Sequence, residues 1–104
     1  MTRIVITGAC GKMGRVINDI VNTRDDCEIT AGIDIAGEQY AEFPVYKKLF
    51  DLPEKPDVII DFSHPSLLDE LLDYCKINNV PVVIATTGYT DEQIKQIKTA
   101  AGQI

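Results

Sequence analysis

The chain has 104 residues, of which 45% are apolar and 25% are charged, a composition typical of one soluble globular domain. It lacks a secretory signal and any apolar run near the roughly 18 residues that a membrane span needs, so we expect a cytoplasmic protein without membrane contacts. The net charge of -6 argues against a nucleic-acid partner, although backbone amides could still bind a phosphate locally.

The three cysteines do not suggest a metal site or a disulfide framework. Cys10, Cys27 and Cys75 lie far apart and show neither C-x-x-C spacing nor a nearby histidine. No metal is therefore expected, and free thiols fit a reducing cytosol.

The first half of the chain predicts two strands and one helix. Residues 3–7 form a β-branched run typical of a strand buried on both faces. Residues 12–23 follow the helical period, and residues 28–34 predict a second strand. Residues 35–43 are polar and mixed, as in a loop, whereas residues 45–52 fit either a short edge strand or one helical turn. The apolar stripe of the helix comprises Met13, Val16, Ile17, Ile20 and Val21.

The second half repeats this alternation. Residues 57–62 and 81–85 are β-rich and predict strands, the second beginning with a proline where a missing N–H does least harm. Residues 65–78 predict a helix, with Ser63 or Ser66 available as its cap. The last helix combines a capping box, formed by Thr90 and Gln93, with a buried face formed by Ile94, Ile97 and Ala101.

Apolar strands that alternate with amphipathic helices predict an α/β fold. We expect a doubly wound, Rossmann-like, mostly parallel sheet with helices on both faces and right-handed crossovers. Residues 1–104 would form a single dinucleotide-binding domain. Because the chain stops just after a helix, where this fold normally adds another strand, we expect it to be a piece of something longer.

The stretch "GACGKMG" places three glycines between the first strand and the first helix. Ligands of doubly wound sheets bind outside the carboxyl ends of the strands, where this turn lies. We interpret Gly8 as making the tight turn, Gly11 as allowing close approach of a ligand, and Gly14 as packing the helix against the strand. The amides of Lys12 and Met13 then lie at the positive end of the helix dipole, where a pyrophosphate would satisfy them.

An acidic residue follows at the end of the second predicted strand. Asp34 lies 20 residues after Gly14, close to the spacing of the carboxylate that binds the adenosine ribose in dinucleotide domains. A carboxylate there repels a ribose 2′-phosphate, and Ile35 stands where an arginine would accommodate one. The sequence therefore favours NADH, while Lys12 and Arg15 offset part of the repulsion, so that NADPH is expected to bind as well.

Two further strand ends complete the predicted cleft. In "ATTGY", Thr86 and Thr87 offer hydroxyls and amides to a nicotinamide carboxamide. In "DFSHP", we interpret His64 as a solvated loop residue, since a catalytic acid would also need reach to a substrate. We interpret Asp61 as a turn or cap acid.

Together, "GACGKMGR", the acid at Asp34, "VIIDFSHP" and "TTGY" resemble, in order and spacing, the N-terminal half of the 4-hydroxy-tetrahydrodipicolinate (dihydrodipicolinate) reductase family. The similarity extends over essentially the whole chain. It implies an NAD(P)H-dependent oxidoreductase of bacterial lysine (diaminopimelate) biosynthesis that transfers a hydride to a dihydrodipicolinate-type ring. The family usually reads G-T-T-G where this chain has Ala85 and then T-T-G, a change that should keep the backbone contacts.

The resemblance also implies which residues meet the cofactor. Thr87 would, in addition, approach a carboxylate of the substrate. The full set comprises Gly8, Ala9, Cys10, Gly11, Lys12 and Met13 for the pyrophosphate, Asp34 for the ribose, and Phe62, Ser63, Ala85, Thr86 and Thr87 beside the nicotinamide.

The catalytic machinery is expected elsewhere. In this family a C-terminal domain holds the substrate and donates the proton through a histidine pair and a lysine, and that domain is absent from this chain. The isolated domain should therefore bind cofactor without turnover. We expect it to be a monomer, and the parent enzyme to be a homo-oligomer.

Two other functions stay open at this point. The chain could be the nucleotide domain of another NAD-dependent dehydrogenase, or a non-catalytic module that binds NAD(H) or coenzyme A, because doubly wound domains host many functions. The threonine pair favours a nicotinamide over coenzyme A. The reading frame downstream would separate these alternatives.

Overall fold

The computed structural model of the chain describes residues 1–35, 38–86 and 88–101. Within these ranges the strands form one parallel five-stranded sheet in the order β3-β2-β1-β4-β5. The chain adds β2 and β3 on one side of β1 and then crosses to the other side, so the winding reverses between β1 and β4. The strands are β1 (Thr2–Thr7), β2 (Cys27–Ile33), β3 (Val45–Tyr46), β4 (Val58–Asp61) and β5 (Val82–Ile84).

Helices lie on both faces of this sheet. In the part of the chain that is described, they are α1 (Lys12–Val21), α2 (Leu68–Asn78) and α3 (Asp91–Ala101). The side chains on one face of β1 form a hydrophobic cluster with α1, and those on its other face form a second cluster with α2. The third helix, α3, packs on α2. The predicted α/β, doubly wound fold is therefore confirmed. None of these helices is both long and apolar enough to cross a membrane.

The structure contains the predicted strands and helices. The observed strand ends differ from the predicted ones by at most one residue, and α1 ends two residues earlier than predicted. Residues 45–52 contain both alternatives, because β3 is followed by a 3₁₀ turn, Leu49–Asp51. That turn buries Leu49 in the core on the α2 side. The predicted loop at 35–43 contains no helix or strand at residues 35 and 38–43, and residues 36 and 37 lie outside the described ranges.

The starts of α2 and α3 differ in how well they were predicted. The capping box at α3 is confirmed, since the Gln93 N–H donates to Thr90 Oγ1 at 3.2 Å and the Thr90 N–H donates to Gln93 Oε1 at 3.0 Å. The predicted serine cap before α2 is wrong. A 3₁₀ turn, Pro65–Leu67, precedes that helix, and its cap is His64, whose Nδ1 accepts a hydrogen bond from the Ser66 N–H at 3.1 Å. Proline at the first helical position makes the residue before it the cap.

The apolar stripe predicted for α1 is only partly buried. The helix approaches the sheet through Gly14, Ile17 and Val21. It shares a core with β1, β2 and two residues of β4, whereas none of the β5 residues belongs to this cluster. Val83 of β5 is accordingly 56% exposed. The remaining predicted stripe residues are also exposed: Met13 (46%), Val16 (40%) and Ile20 (52%).

The face predicted for α3 also needs one correction. Ile94 is exposed, whereas Ile97 is partly buried and Ala100 is buried against α2. Among the described elements, α3 packs its apolar side chains on α2 alone, so its buried stripe is narrower than the apolar pattern suggested. The side chain of Ala101 lies outside the described set.

Gly14 should be indispensable to the packing of α1. A Cβ at this position would lie 2.4 Å from the carbonyl oxygen of Ala9, so the helix would have to move. Overpacking typically costs 1–3 kcal/mol, which exceeds the roughly 1 kcal/mol that alanine gains over glycine inside a helix. We predict that Gly14→Ala lowers the free energy of unfolding, measured by urea denaturation, by about 1 kcal/mol or more.

Asp19→Ala is the matched control, because Asp19 is exposed on the same helix. Its effect should stay within about 0.5 kcal/mol, as is usual for surface substitutions. A Gly14→Ala chain as stable as wild type would contradict the packing argument.

Candidate functional site

The turn after β1 can be made only by glycine. Gly8 has φ of +71°, and a Cβ there would lie 2.4 Å from the carbonyl oxygen of Phe62. Its N–H donates to the carbonyl oxygen of Ile33 at 2.8 Å. The tight turn predicted at Gly8 is confirmed, and it is held between the carboxyl ends of β2 and β4.

The first turn of α1 is open to an anion. Its N-cap is Gly11, no described side chain caps it, and no acidic residue lies in the first turn. In contrast, α2 and α3 carry two acidic residues each in their first turns. The N–H groups of Lys12 and Met13 therefore lie at a positive helix end whose first turn contains no carboxylate.

An open groove of about 300 Å³ lies above this helix end. It runs between the carboxyl ends of β1, β4 and β5, where doubly wound sheets bind ligands. Each residue that lines it belongs to the set predicted from the sequence to contact the cofactor: Gly8, Gly11, Lys12, Met13, Phe62, Ser63, Ala85 and Thr86.

A second, smaller cavity of about 240 Å³ adjoins the groove and contains Asp34. The two cavities share Gly8 and Ser63, so they form one continuous surface. The second cavity is lined largely by apolar atoms and also includes Ile35 and Lys47. An apolar cavity that ends in a carboxylate suits the flat, apolar base and the hydroxylated ribose of an adenosine.

Ala9 and Cys10 are placed differently from the other predicted residues. The side chain of Ala9 is fully buried beneath the turn and does not reach the groove. Cys10 donates its N–H to Asp34 Oδ2 at 3.0 Å and places its thiol 3.1 Å from the carbonyl oxygen of Glu38. Thr87, predicted to contact both cofactor and substrate, lies outside the described residues.

The bond from Cys10 gives Asp34 a structural role beside the predicted one. A carboxylate offers about four lone-pair sites, so accepting the Cys10 N–H is compatible with binding ribose hydroxyls. Burial and, secondarily, the nearby Asp34 charge raise the pKa of the Cys10 thiol. The thiol is therefore protonated at neutral pH and is not an activated nucleophile.

Arg15 is held beside the same loop. Its Nε donates to the Cys10 carbonyl oxygen at 3.3 Å, and its guanidinium lies 4.1 Å from the ring centre of Tyr40. Such a cation–π contact fixes the direction of the side chain. Arg15 thus contributes a fixed positive charge near the carboxylate of Asp34.

The sequence interpretation of Asp61 was incomplete. It predicted a turn acid, and the Ser63 N–H does donate to Asp61 Oδ1 at 3.3 Å. The carboxylate is in fact fully buried and accepts four hydroxyl hydrogen bonds as well. Thr7 and Thr86, two of these donors, are 54 and 25 positions away, beyond the range of local patterns. One feature of the sequence could have indicated the buried carboxylate: Asp61 is an acidic residue at the end of an otherwise apolar strand.

Other parts of the described chain offer less chemistry. A wider depression of about 560 Å³ lies between the end of α1 and the start of β2, and none of the predicted site residues lines it. No group of three or more His, Cys, Asp or Glu residues among those described could hold a metal ion. His64 is exposed, as its interpretation as a solvated residue expects, but it also lines the second cavity and accepts the Ser66 N–H.

Comparison with known proteins agrees with the resemblance read from the sequence. The family described as "Dihydrodipicolinate reductase, N-terminus" matches residues 2–104. A 4-hydroxy-tetrahydrodipicolinate reductase of Clostridium novyi is 41% identical over 97 residues, which cover 93% of this chain and 38% of that protein. The enzyme of the same name from Clostridium tetani is 38% identical over 104 residues, which cover all of this chain and 41% of that protein.

A solved structure gives the same result. The dipicolinate-bound dihydrodipicolinate reductase of Paenisporosarcina sp. TG-14 superposes with a TM-score of 0.80 at 35% identity, over 97% of this chain and 43% of that one. The chain therefore spans about two fifths of the length of the relatives that it matches.

Gly11 offers a test of the groove. A Cβ there would lie 3.3 Å from the Gly8 carbonyl oxygen, so alanine is tolerated with little displacement, but its methyl group would enter the groove. We predict that Gly11→Ala weakens NADH binding, measured by calorimetry, by about tenfold or more, because the phosphate can no longer approach the amides closely. Stability should fall by no more than about 1 kcal/mol.

Asp19→Ala again serves as the control and should bind NADH like wild type. Unchanged affinity of Gly11→Ala would show that the ligand does not use this groove.

Proposed function

This chain belongs to the family of dihydrodipicolinate reductase N-terminal domains, and from that premise we propose that it is the dinucleotide-binding domain of a 4-hydroxy-tetrahydrodipicolinate reductase. In the parent enzyme it would bind NAD(P)H, with NADH preferred. The substrate would be held by a further domain within the additional length that the relatives have. That domain would also donate the proton and make the contacts of a homo-oligomer.

The observation that supports this function best is that the residues lining the groove are the residues expected to contact the cofactor. All of its eight residues are those that the family resemblance assigns to the cofactor. The groove also fits the ligand physically, because no described side chain caps the start of α1 and its first turn carries no acidic residue. Both features favour a diphosphate over a neutral ligand.

Each part of the site has a task in this proposal. The amides of Lys12 and Met13 bind the pyrophosphate, and Asp34 accepts hydrogen bonds from the adenosine ribose. The Thr86 hydroxyl lines the groove and donates to Asp61 at 2.8 Å, so the lone pairs of its oxygen stay available as an acceptor for the carboxamide NH₂. When bound, the reduced nicotinamide supplies the hydride, and the chain's own contribution is orientation.

The preference for NADH follows from the charges around Asp34. Its carboxylate repels a 2′-phosphate, and Ile35, which is 86% exposed, offers no compensating charge. Lys47 lines the same cavity and Arg15 is fixed nearby, so the repulsion is offset in part. We therefore propose a preference that is moderate and electrostatic.

We predict that the wild-type chain binds NADH on the order of tenfold more tightly than NADPH, because a like-charge pair at a surface costs about 1 kcal/mol. Asp34→Asn should reduce this ratio to about threefold or less, since asparagine keeps an oxygen for the Cys10 N–H and removes the charge. Calorimetric titration with both cofactors measures the ratio. Asp19→Asn should leave the ratio unchanged, and a wild-type chain that prefers NADPH would contradict the role of Asp34.

We also predict that this chain binds NADH without oxidising it when 4-hydroxy-tetrahydrodipicolinate is supplied. The described residues around the groove place no general acid where a substrate ring would lie, and proton donation is required beside hydride transfer. The absorbance of reduced nicotinamide measures turnover, with a protein-free mixture as blank. Oxidation above the blank would mean that this chain itself carries a catalytic acid.

A further inference from the structure

Asp61 joins three strand ends through one buried carboxylate. Oδ1 accepts hydrogen bonds from the hydroxyl of Thr7 and from the hydroxyl and N–H of Ser63, the latter two at 2.5 and 3.3 Å. Oδ2 accepts from the hydroxyls of Thr86 at 2.8 Å and Tyr89 at 3.3 Å. The two oxygens are therefore bonded to different parts of the chain, Oδ1 to the ends of β1 and β4 and Oδ2 to the segment after β5.

Burying a carboxylate such as that of Asp61 costs free energy, which is unusual for a residue whose only role is to stabilise the fold. A buried carboxylate must be satisfied by several donors, because an unsatisfied charge costs several kcal/mol. None of the ion pairs among the described residues involves Asp61, so hydroxyl and amide donors alone compensate it. The Asp61 charge also acts on a neighbouring group. The pKa of the Cys75 thiol is raised to about 11, mainly by burial and secondarily by the charge of Asp61.

The residues that donate hydrogen bonds to Asp61 lie beside both sides of the groove. Thr7 immediately precedes Gly8, the turn that brings backbone amides to the pyrophosphate. On the other side, Thr86 lines the groove at the end of β5. Tyr89 packs against α2 and α3, and so anchors the second side to the body of the domain.

We propose that Asp61 is a positioning residue for the dinucleotide, an inference that rests on the function proposed above. Its carboxylate sets the distance between the pyrophosphate turn and the nicotinamide side before the ligand arrives. It also accepts the hydrogen bonds that the hydroxyls of Ser63 and Thr86 donate, so the lone pairs of these two oxygens stay available to accept from a ligand. Asp61 touches no ligand itself and acts through these partners.

A positioning role and a merely structural role differ in which ligands they affect. NADH spans both sides of the groove and depends on their separation. Adenosine monophosphate would occupy only the side formed by the Gly8 turn and Asp34. Loss of positioning should therefore weaken NADH selectively, whereas general destabilisation would weaken both ligands or neither at a temperature where the chain is folded.

The experiment compares wild type with Asp61→Asn, which preserves shape but turns one acceptor oxygen into an NH₂ donor that faces other donors. Dissociation constants come from amide chemical-shift titrations with NADH and with adenosine monophosphate, at a temperature where circular dichroism shows both chains folded. We expect the NADH constant to rise by about tenfold or more, and that of adenosine monophosphate to change by less than about twofold, because losing these charge-assisted hydrogen bonds loosens the link between the two sides while the adenosine side stays in place.

Asp57→Asn is the matched control. Asp57 lies at the opposite end of β4, where its carboxylate accepts from the Arg3 N–H at 2.8 Å. This variant should lower the unfolding midpoint without changing either dissociation constant. Equal constants for Asp61→Asn and wild type, or equal losses for both ligands, would overturn the positioning role.

Tyr89→Phe decides the question if Asp61→Asn does not fold. It removes one hydroxyl from Oδ2 and keeps the ring packed on α2 and α3, so we expect about a threefold loss for NADH and none for adenosine monophosphate. No selective loss here would overturn the proposal. A wild-type chain that binds neither ligand would instead overturn the proposed function itself, and the positioning role with it.

Discussion

Backbone atoms in the turn after β1 lie too close together for side chains to stand between them. Gly8 meets the carbonyl of Phe62, and Gly14 meets the carbonyl of Ala9, at distances that a Cβ would reduce to 2.4 Å. These contacts hold the start of α1 against the ends of β1 and β4. Because the helix is fixed there, its first N–H groups have to point into the groove rather than into the protein. The candidate site is thus a consequence of how tightly the first βα unit is closed.

The start of α1 is locally positive, whereas the chain as a whole is negatively charged. The net charge is -6, and α2 and α3 both begin with acidic residues. The first turn of α1 has none, and two acids close to the groove are already engaged: Asp34 by the Cys10 N–H and Asp61 by buried hydroxyls. Family membership and this distribution of charge support the same assignment by separate routes, since one depends on the order of motifs and the other on which helix begins without an acidic residue.

Features of the chain were predictable from sequence to the extent that they are local. The strands were found because burial on both faces makes their apolar runs continuous, and the capping box of Thr90 and Gln93 spans only three positions. The stripe on α1 was partly wrong, because a pattern shows which residues are apolar but not whether anything covers them. The network of Asp61 could not be predicted, because its partners come from β1 and from the segment after β5, which only the folded sheet brings together.

The apolar side chains left uncovered on the α1 face, Met13, Val16, Ile20 and Val83, affect how the chain behaves in solution. Mutual repulsion between molecules of charge -6 keeps such surfaces apart in dilute buffer. At about 1 M salt the screening length falls to roughly 3 Å and this repulsion is lost, while apolar attraction is retained. High ionic strength therefore removes the charge repulsion that opposes contact between exposed apolar side chains such as these.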